Sequence, residues 1–286
     1  MNSSLKEVME LDTQERFGFG KNWSRFLGVL NHERIEEAER SLREMLEVDD
    51  LLGKKFLDIG SGSGLFSLAA RRLGARVHSF DYDPHSVACT VELKRRYFPD
   101  DSSWTVERAS VLDAQYVRNL GSFDIVYSWG VLHHTGAMWQ ALENAQIPVG
   151  PWGRLYLAIY NDQRHWSMVW KRIKKLYNRL PLLLRVPYAA CVVAVMQAKA
   201  AVGSLLMLEP QRYLRSWTQY HKQSRGMSRW YDLIDWVGGY PFEVAKPEEI
   251  FDLYRSNGFV LLRLKTCAGG KGCNEFVFQR TGEKSR

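Results

Sequence analysis

Between Leu57 and Gly64 the chain reads Leu57-Asp-Ile-Gly60-Ser-Gly62-Ser-Gly64, and this stretch decides the fold. It follows an apolar run that starts at Lys55, and a helical pattern continues from it to Arg72. The arrangement predicts a strand, a glycine turn and a helix. Alternate glycines let the backbone approach a ligand closely, and free N–H groups at the start of a helix attract an anionic group. The turn therefore predicts a site for a nucleotide-like cofactor.

Outward from this turn, strands and helices alternate along the chain. Further strands are predicted at 76–80, 105–109, 123–128, 155–160, 259–265 and 275–279, and helices at 33–50, 84–98, 137–147 and 247–258. Such alternation is typical of a parallel sheet with helices on both faces. The last two strands are joined by a glycine-rich loop and predict an antiparallel hairpin. We expect an α/β fold with a doubly wound, mostly parallel seven-stranded sheet.

The alternation is interrupted by residues 161–245, whose pattern is helical. This segment holds five of the ten tryptophans of the chain, and residues 161–230 contain 13 Lys and Arg but only two acidic residues, Asp162 and Glu209. We expect it to form a cap on the sheet after the fifth strand. The predicted organisation is an N-terminal helical segment, 1–53, a cofactor-binding domain, 54–160 and 246–286, and the cap insertion, 161–245.

Composition limits the class of protein. With 286 residues, 45% hydrophobic and 25% charged, the chain has the composition of a folded globular protein, which excludes disordered and collagen-like classes. The four cysteines form no C-x-x-C pair, so we expect reduced thiols and no metal site. The first residues lack the apolar core of a signal peptide, which predicts a cytoplasmic protein.

The glycine turn closely resembles the first motif of the class I S-adenosylmethionine-dependent methyltransferases. Its spacing is G-x-G-x-G, whereas a dinucleotide site requires a third glycine where this chain has Leu65. In the methyltransferases the second strand ends in an acidic residue that binds the ribose hydroxyls, and Asp81 occupies the matching place. The aspartate that contacts adenine in that family is replaced by Ser110, so the resemblance implies adenine contact through Ser110 and Val111.

The resemblance continues through the fourth strand, where 123–134 is similar to the segment beside the methionine part of the cofactor. It covers about residues 54–160 and the final helix and hairpin, and it implies a Rossmann-like methyltransferase fold. S-adenosylmethionine is the implied cofactor, with S-adenosylhomocysteine as product. The implied cofactor-binding residues are Trp23, Asp58, Gly60, Ser61, Gly62, Gly64, Leu65, Phe66, Asp81, Tyr82, Ser110, Val111, Ser128 and Trp129.

Three of these positions have alternative interpretations. Asp58 either contacts the cofactor amine or fixes the glycine turn. Asp81 could instead cap the following helix. Trp23 belongs to an aromatic segment at 16–26, which either folds over the cofactor, as in the family, or covers the edge of the sheet.

Candidate catalytic residues lie beyond the fourth and fifth strands, at the edge where open α/β sheets bind ligands. They are His133, His134, Tyr160 and Asn161. Methyl transfer requires a nucleophile in line with the methyl carbon and, where that nucleophile carries a proton, a group that accepts it. A turn histidine bonded to backbone is the alternative for each histidine, and many enzymes of this type need no base.

The acceptor class rests on a further resemblance. The segment Trp129-Gly-Val-Leu-His-His134 is similar to the branch that contains ubiquinone- and menaquinone-pathway and natural-product methyltransferases. It implies methylation of an O, N or C nucleophile on a small molecule, aromatic or lipid-like. An RNA or protein methyltransferase that grips its substrate with the basic insertion is one alternative. A non-catalytic cofactor-binding partner subunit is another.

Residues 186–208 form an apolar run almost long enough to span a membrane. Strands on both sides must join one sheet, so a single crossing is excluded by topology. Two interpretations remain: a buried cap helix, or a surface helix that touches lipid beside the basic residues that precede it. The second implies peripheral contact with an anionic membrane, at its inner face, through 164–208. We do not expect nucleic-acid binding, and the sequence leaves the oligomeric state open.

Overall fold

Seven strands in the described residues form a single sheet. The structure is a computed structural model that describes residues 17–220, 227 and 229–282. The strands are β1 (Lys55–Ile59), β2 (Arg76–Asp81), β3 (Trp104–Arg108), β4 (Phe123–Trp129), β5 (Val149–Tyr160), β6 (Phe259–Lys265) and β7 (Cys273–Arg280). Their order is β3-β2-β1-β4-β5-β7-β6, and β7 runs antiparallel to both of its neighbours. The predicted doubly wound, mostly parallel seven-stranded sheet is confirmed.

Helices cover both faces of this sheet and build the insertion. They are α1 (Phe19–Phe26), α2 (His32–Leu46), α3 (Leu65–Arg72), α4 (Pro84–Tyr97), α5 (Ala114–Asn119), α6 (Met138–Ala145), α7 (His165–Arg179), α8 (Leu182–Leu206), α9 (Pro210–Thr218), α10 (Arg229–Gly238) and α11 (Pro247–Ser256), with a 3₁₀ turn at Leu132–His134. Side-chain caps explain several starts. The side chain of Asn31 accepts from Arg34 N, and that of Asp83 accepts from His85 N.

Two apolar layers hold the sheet between them. On one face α2, α3 and α4 bury Leu42, Leu68 and Leu93 against β1 and β2. On the other face α6 and α11 bury Leu142 and Tyr254 against β4 to β7. Because both faces are covered, the central strands carry apolar side chains on each side, as parallel strands require.

Some boundaries differ from the predicted ones. The helix expected at 33–50 ends at Leu46, because Glu47 adopts φ +52° and caps it. Strand β5 begins at Val149 and not at Leu155 as predicted, although the sequence from Pro148 to Gly153 is typical of a turn. A register shift opposite Phe123, together with a φ of +59° at Trp152, lets this irregular stretch pair with β4. The short helix α5 was not predicted, and α1 lies in the N-terminal segment that was expected to be helical without stated helix bounds.

The interpretation of 186–208 as a buried cap helix is wrong. Helix α8 buries only Ser204, and most of its surface faces outward. By length and composition α8 is the one helix of the described residues that could cross a membrane. A single crossing is excluded, because β5 before it and β7 after it pair along Arg154–Tyr160 in one sheet.

We expect Leu42→Ala to lower the free energy of unfolding by about 2–5 kcal/mol. Leu42 is fully buried under α2, so truncation leaves a cavity as well as a loss of apolar burial. The control is Leu52→Ala, at a position 77% exposed, which should change stability by no more than about 0.5 kcal/mol. Urea unfolding measures both. Equal effects of the two variants would contradict the packing of α2 on the sheet.

Candidate active site

A cavity of about 860 Å³ lies at the carboxyl ends of the parallel strands. Its walls come from the glycine turn, the ends of β2, β4 and β5, four residues near the N-terminus (Phe17, Gly18, Phe19 and Trp23), and helices α8 and α10. The strand order reverses between β1 and β4, and such a switch point is where open α/β sheets bind ligands. The volume is near the upper end of the roughly 300–1,000 Å³ of ligand pockets, which leaves room for two bound molecules.

The glycine turn is fixed by close packing. Gly60, Gly62 and Gly64 have φ values of +79°, +55° and +80°. A Cβ on Gly60 would lie 2.3 Å from Cγ1 of Val131, and one on Gly64 would lie 2.8 Å from Cα of Thr90. Side chains at these positions are therefore excluded by both conformation and space. Gly60 and Gly62 line the cavity, whereas Gly64 packs behind it.

Asp81 ties the glycine turn to the end of β2. Its Oδ2 accepts from Gly62 N at 2.9 Å, and its Oδ1 accepts from Asp83 N at 2.9 Å. Burial raises the pKa of Asp81 to about 6, although hydrogen bonds from the backbone of Gly62, Asp83 and Tyr82 favour the ionised form. The carboxylate lines the cavity, and a carboxylate has about four acceptor positions, so it can also accept from a hydroxyl group of a ligand.

The Asp58 side chain joins the end of β1 to the helix that follows the glycine turn. Ser67 Oγ donates to Asp58 Oδ2 at 2.5 Å and also contacts Ser79 Oγ at 2.7 Å. Trp104 Nε1 donates to the same Ser79 oxygen at 3.0 Å. Burial raises the pKa of Asp58 to about 7. The turn-fixing role is therefore present in the structure, while Asp58 also lines the cavity.

Two tryptophans enclose the cofactor end of the cavity. Trp129 Nε1 donates to Oε2 of the buried Glu275 at 3.1 Å, and this oxygen also accepts from Tyr156 Oη at 2.5 Å. Trp23 covers the turn from the N-terminal side, since a Cβ on Gly62 would lie 3.1 Å from its Nε1. The sequence analysis missed Glu275, because a glutamate in an edge hairpin carries no motif.

His134 and Tyr160 line the other end of the cavity. Nδ1 of His134 lies 2.6 Å from the Pro241 carbonyl oxygen, which can only accept, so Nδ1 carries the proton and Nε2 is the acceptor. Burial and the nearby Lys174 lower the pKa of His134 to about 3. Burial raises the pKa of Tyr160 well above its usual value, so its hydroxyl stays protonated. The two ring centroids are 5.4 Å apart.

The other two catalytic candidates lie outside the cavity wall. His133 is fully buried, its Nδ1 accepts from Tyr160 N at 3.3 Å, and its ring lies 3.8 Å from that of Tyr160. Asn161 donates to Gly270 O and accepts from Asn274 Nδ2 at 3.0 Å. Both side chains therefore support the neighbouring wall without facing a ligand.

Most of the cofactor candidates come together at the cavity. Those that line it are Trp23, Asp58, Gly60, Ser61, Gly62, Phe66, Asp81, Tyr82, Ser110, Val111 and Trp129. Gly64, Leu65 and Ser128 do not: Leu65 is buried in the core, and the hydroxyl of Ser128 donates to Ile59 O at 3.0 Å. Within the described residues no group of His, Cys, Asp or Glu is arranged to hold a metal ion.

Further residues line the cavity that sequence reasoning did not name. They come from the N-terminal segment, the insertion and the loop between β6 and β7: Phe17, Phe19, Met196, Gln197, Tyr220, Arg229, Asp232, Asp235, Trp236 and Lys271. Phe19 lies 4.8 Å from His134, and Trp236 lies 5.2 Å from Tyr160, measured between ring centroids. The aromatic segment at 16–26 and the concentration of tryptophan in the insertion were the available signals, and neither fixes which side chains face the cavity.

Comparison with known proteins identifies the family of the chain. The family model described as "Methyltransferase domain" matches residues 30–191, more than half of the chain. The Ubiquinone biosynthesis O-methyltransferase of Xanthomonas oryzae pv. oryzae is 30% identical over 135 residues, which cover 47% of this chain and 52% of that protein. The tRNA U34 carboxymethyltransferase of Pseudomonas savastanoi pv. phaseolicola is 38% identical over 87 residues, which cover 30% and 26%.

A third curated relative is the Ribosomal protein L11 methyltransferase of Methylococcus capsulatus, 48% identical over 54 residues, which cover 18% of each chain. The chain thus spans between about a fifth and about half of the length of these relatives.

Solved structures with the same fold extend over most of the chain. The magnesium protoporphyrin IX methyltransferase of Synechocystis PCC 6803, solved with bound SAH, has a TM-score of 0.53 at 14% identity and covers 91% of this chain and 94% of its own. PKMT2 of Rickettsia typhi has a TM-score of 0.57 at 11% identity, with 89% and 55% covered. The family match and the fold agree: the chain belongs to the methyltransferase-domain family.

Proposed function

We propose that this methyltransferase acts on an O, N or C nucleophile of a small, largely apolar molecule, aromatic or lipid-like. The division of the cavity carries the proposal. The ends of β1 and β2 present the glycine turn and Asp81. The ends of β4 and β5, on the other side of the switch point, carry His134 and Tyr160, against which the rings of Phe19 and Trp236 pack. Apolar walls with a few polar groups are typical of small-molecule sites.

The residues at the first end fit the cofactor. A side chain at Gly60 would clash with Val131, and one at Gly62 would be strained by its positive φ, so the bare backbone can lie against a ligand. The Asp81 carboxylate would accept from a ribose hydroxyl. Ser110 and Val111, at the end of β3, would contact adenine, and Trp129 would lie beside the methionine part. When bound, S-adenosylmethionine supplies a methyl carbon that its sulfonium makes electrophilic.

At the second end, Tyr160 and His134 would orient the acceptor. The Tyr160 hydroxyl is a donor and His134 Nε2 is an acceptor, so together they can hold a hydroxyl or amine nucleophile. With a pKa of about 3, His134 is neutral at pH 7 and carries its single ring proton on Nδ1. Its role in the proposal is therefore to accept a hydrogen bond and direct the nucleophile, and placement supplies most of the rate enhancement.

Lys174 holds the insertion against this end of the cavity. Its ammonium donates to Trp236 O and lies 4.8 Å from the Trp236 ring centroid and 4.9 Å from that of Phe242. The side chain is fully buried, and burial lowers the pKa of Lys174 to about 7. Lys174 does not line the cavity, so it is a positioning residue that acts through Trp236.

The insertion is rich in basic and in apolar side chains, and this composition supports a proposal for where in the cell the protein works. It favours a protein that works in the cytoplasm, at the inner face of a membrane that it contacts peripherally through 164–208. The macromolecular alternative draws support from the relatives that are named as methylating a ribosomal protein or modifying tRNA, but those matches cover between 18% and 42% of the chain. They fall short of a whole-chain likeness, so the acceptor must be identified by experiment.

The proposed acceptor class is tested with methyl-labelled S-adenosylmethionine and extract of the source organism. We expect label in the organic-soluble fraction, because the acceptor end of the cavity is lined by aromatic rings. Separate counting of organic-soluble, polar small-molecule, RNA and protein fractions is the measurement. Label confined to RNA or protein would refute the proposal, and binding of the cofactor without label would favour a non-catalytic partner.

We expect Asp81→Asn to weaken cofactor binding by roughly tenfold to a hundredfold, the loss of hydrogen bonds to a charged acceptor. In the wild type, affinity should fall as the pH drops through about 6, because the carboxyl then takes up a proton and offers fewer acceptor sites. Calorimetric titration measures both effects. The control Asp113→Asn, at a helix cap outside the cavity wall, should bind normally. An unchanged affinity in Asp81→Asn would remove Asp81 from the site.

We expect Lys174→Met to flatten the pH dependence of the free energy of unfolding. The native lysine has a pKa of about 7 and the unfolded one about 10.5, so between these values the unfolded state binds more protons and wild-type stability rises with pH. Its removal should reduce this slope by up to about 1.4 kcal/mol per pH unit. Urea unfolding between about pH 7.5 and 9.5 is the measurement, with the exposed Lys171→Met as control. Equal slopes in wild type and Lys174→Met would show that the ammonium is not buried.

A further inference from the structure

We propose that α8 docks on an anionic lipid bilayer and that a lipid-soluble acceptor passes beside it into the cavity. The inference rests on the proposed function, since it names the source of that acceptor. It depends on three features of the structure: the exposed apolar surface of α8, the basic helix beside it, and the position of α8 in the cavity wall.

The surface of α8 and its following turn is apolar and exposed. The apolar side chains that are more than half exposed are Leu182, Leu183, Leu184, Val186, Val195, Val202, Leu205, Leu206, Met207 and Leu208. A helix that is apolar around its whole circumference is normally buried in protein or in lipid. The described residues cover little of it, since Ser204 is the one residue of α8 that they bury. An exposed apolar surface that extends along a whole helix marks a contact with a partner or a membrane.

The preceding helix lies alongside α8. Tyr188 Oη donates to Ile173 O at 3.2 Å, and Nζ of Lys199 lies 5.6 Å from the ring centroid of Trp166. These two contacts join the start of α8 to the middle of α7 and the later part of α8 to the start of α7. The two helices therefore form an antiparallel pair that presents a common outer surface.

The positive charge beside the apolar surface of α8 favours an anionic lipid bilayer as its binding partner. Helix α7 carries exposed Lys171, Arg172 and Arg179, whereas the acidic residues between 161 and 230 are Asp162 and Glu209 alone. Basic side chains beside an apolar helix bind anionic headgroups while the apolar side chains enter the acyl boundary. A second copy of the chain would bring two sets of positive charges together, which opposes association through this face.

The same helix forms part of the cavity wall. Met196, Gln197 and Ala200 line the main cavity. A second cavity of about 330 Å³ lies between α8 and α9, and it shares Ala200 and Arg229 with the first. Its lining extends to Met207, which is 65% exposed at the end of α8. The second cavity therefore adjoins both the acceptor end and the apolar surface, as a lipid-side entrance requires.

Docking is tested by cosedimentation of the full-length protein with vesicles. The probes are phosphatidylcholine alone and a mixture with phosphatidylglycerol. We expect at least tenfold tighter binding to the anionic vesicles, weakening as salt rises. The double variant Leu205→Glu with Leu206→Glu should lose at least tenfold in vesicle affinity. The control Leu52→Glu, at a comparably exposed position in the loop before β1, should bind like the wild type.

The entrance is tested by Gly203→Leu. Gly203 lines the second cavity, and its missing Cβ faces open space, so leucine would fill the cavity without strain. We expect at least a tenfold loss of methyl transfer into vesicles made from the membrane lipid extract of the source organism, with unchanged cofactor affinity. The control Ala198→Leu, exposed on the same helix, should retain activity.

The outcomes separate the two proposals. Absence of binding to anionic vesicles, or binding that the glutamate pair leaves unchanged, overturns the docking of α8. A dimer by light scattering that the glutamate pair dissociates, without vesicle binding, assigns the surface to a second copy and also overturns it. Full activity in Gly203→Leu overturns the entrance. Vesicle binding without cofactor binding would support docking and refute the proposed function, whereas methylation of soluble acceptors without vesicle binding would do the reverse.

Discussion

The hydrogen bond from Gly62 N–H to the Asp81 carboxylate is the constraint on which the site depends. It joins the turn after β1 to the end of β2, so the two βα units share one rigid edge. The packing of Gly60 against Val131 brings the loop after β4 to the same edge. Three loops that are distant in sequence are thereby held around one cavity before any ligand binds, which lowers the ordering cost of binding.

The sheet and the residues around the glycine turn could be predicted from the sequence, because the sequence patterns that indicate them are local. Alternating strands and helices indicate the sheet, and a glycine turn followed by a strand-end carboxylate indicates the cofactor end. Gly64, Leu65 and Ser128 belong to the same motifs but pack behind the wall. A sequence motif predicts the course of the backbone. Which of its side chains face the cavity depends on the elements that pack against it, such as α4.

The acceptor end could not be predicted in the same way, because its parts come from separate segments. Phe19, His134 and Trp236 meet only after the N-terminal segment and the insertion have closed over the sheet. Glu275 orients Trp129 from the far hairpin. The surroundings of the apolar run at 186–208 could not be predicted from the sequence either. Its composition is that of a buried helix, and no local pattern tells whether protein or another apolar medium surrounds it.

The ends of the insertion are held together at the sheet. Asn161 and Ala245 form a bridge, Ala245 N donates to Tyr160 O at 3.0 Å, and Asp162 N donates to Ala245 O at 3.1 Å. The chain therefore leaves the sheet and returns to it at one point, and the cost of closing that excursion depends only weakly on its length. One consequence is evolutionary. The segment between these bridged ends can be lengthened, shortened or replaced without shifting a strand, so relatives with the same sheet are free to diverge in what they accept while the cofactor end stays fixed.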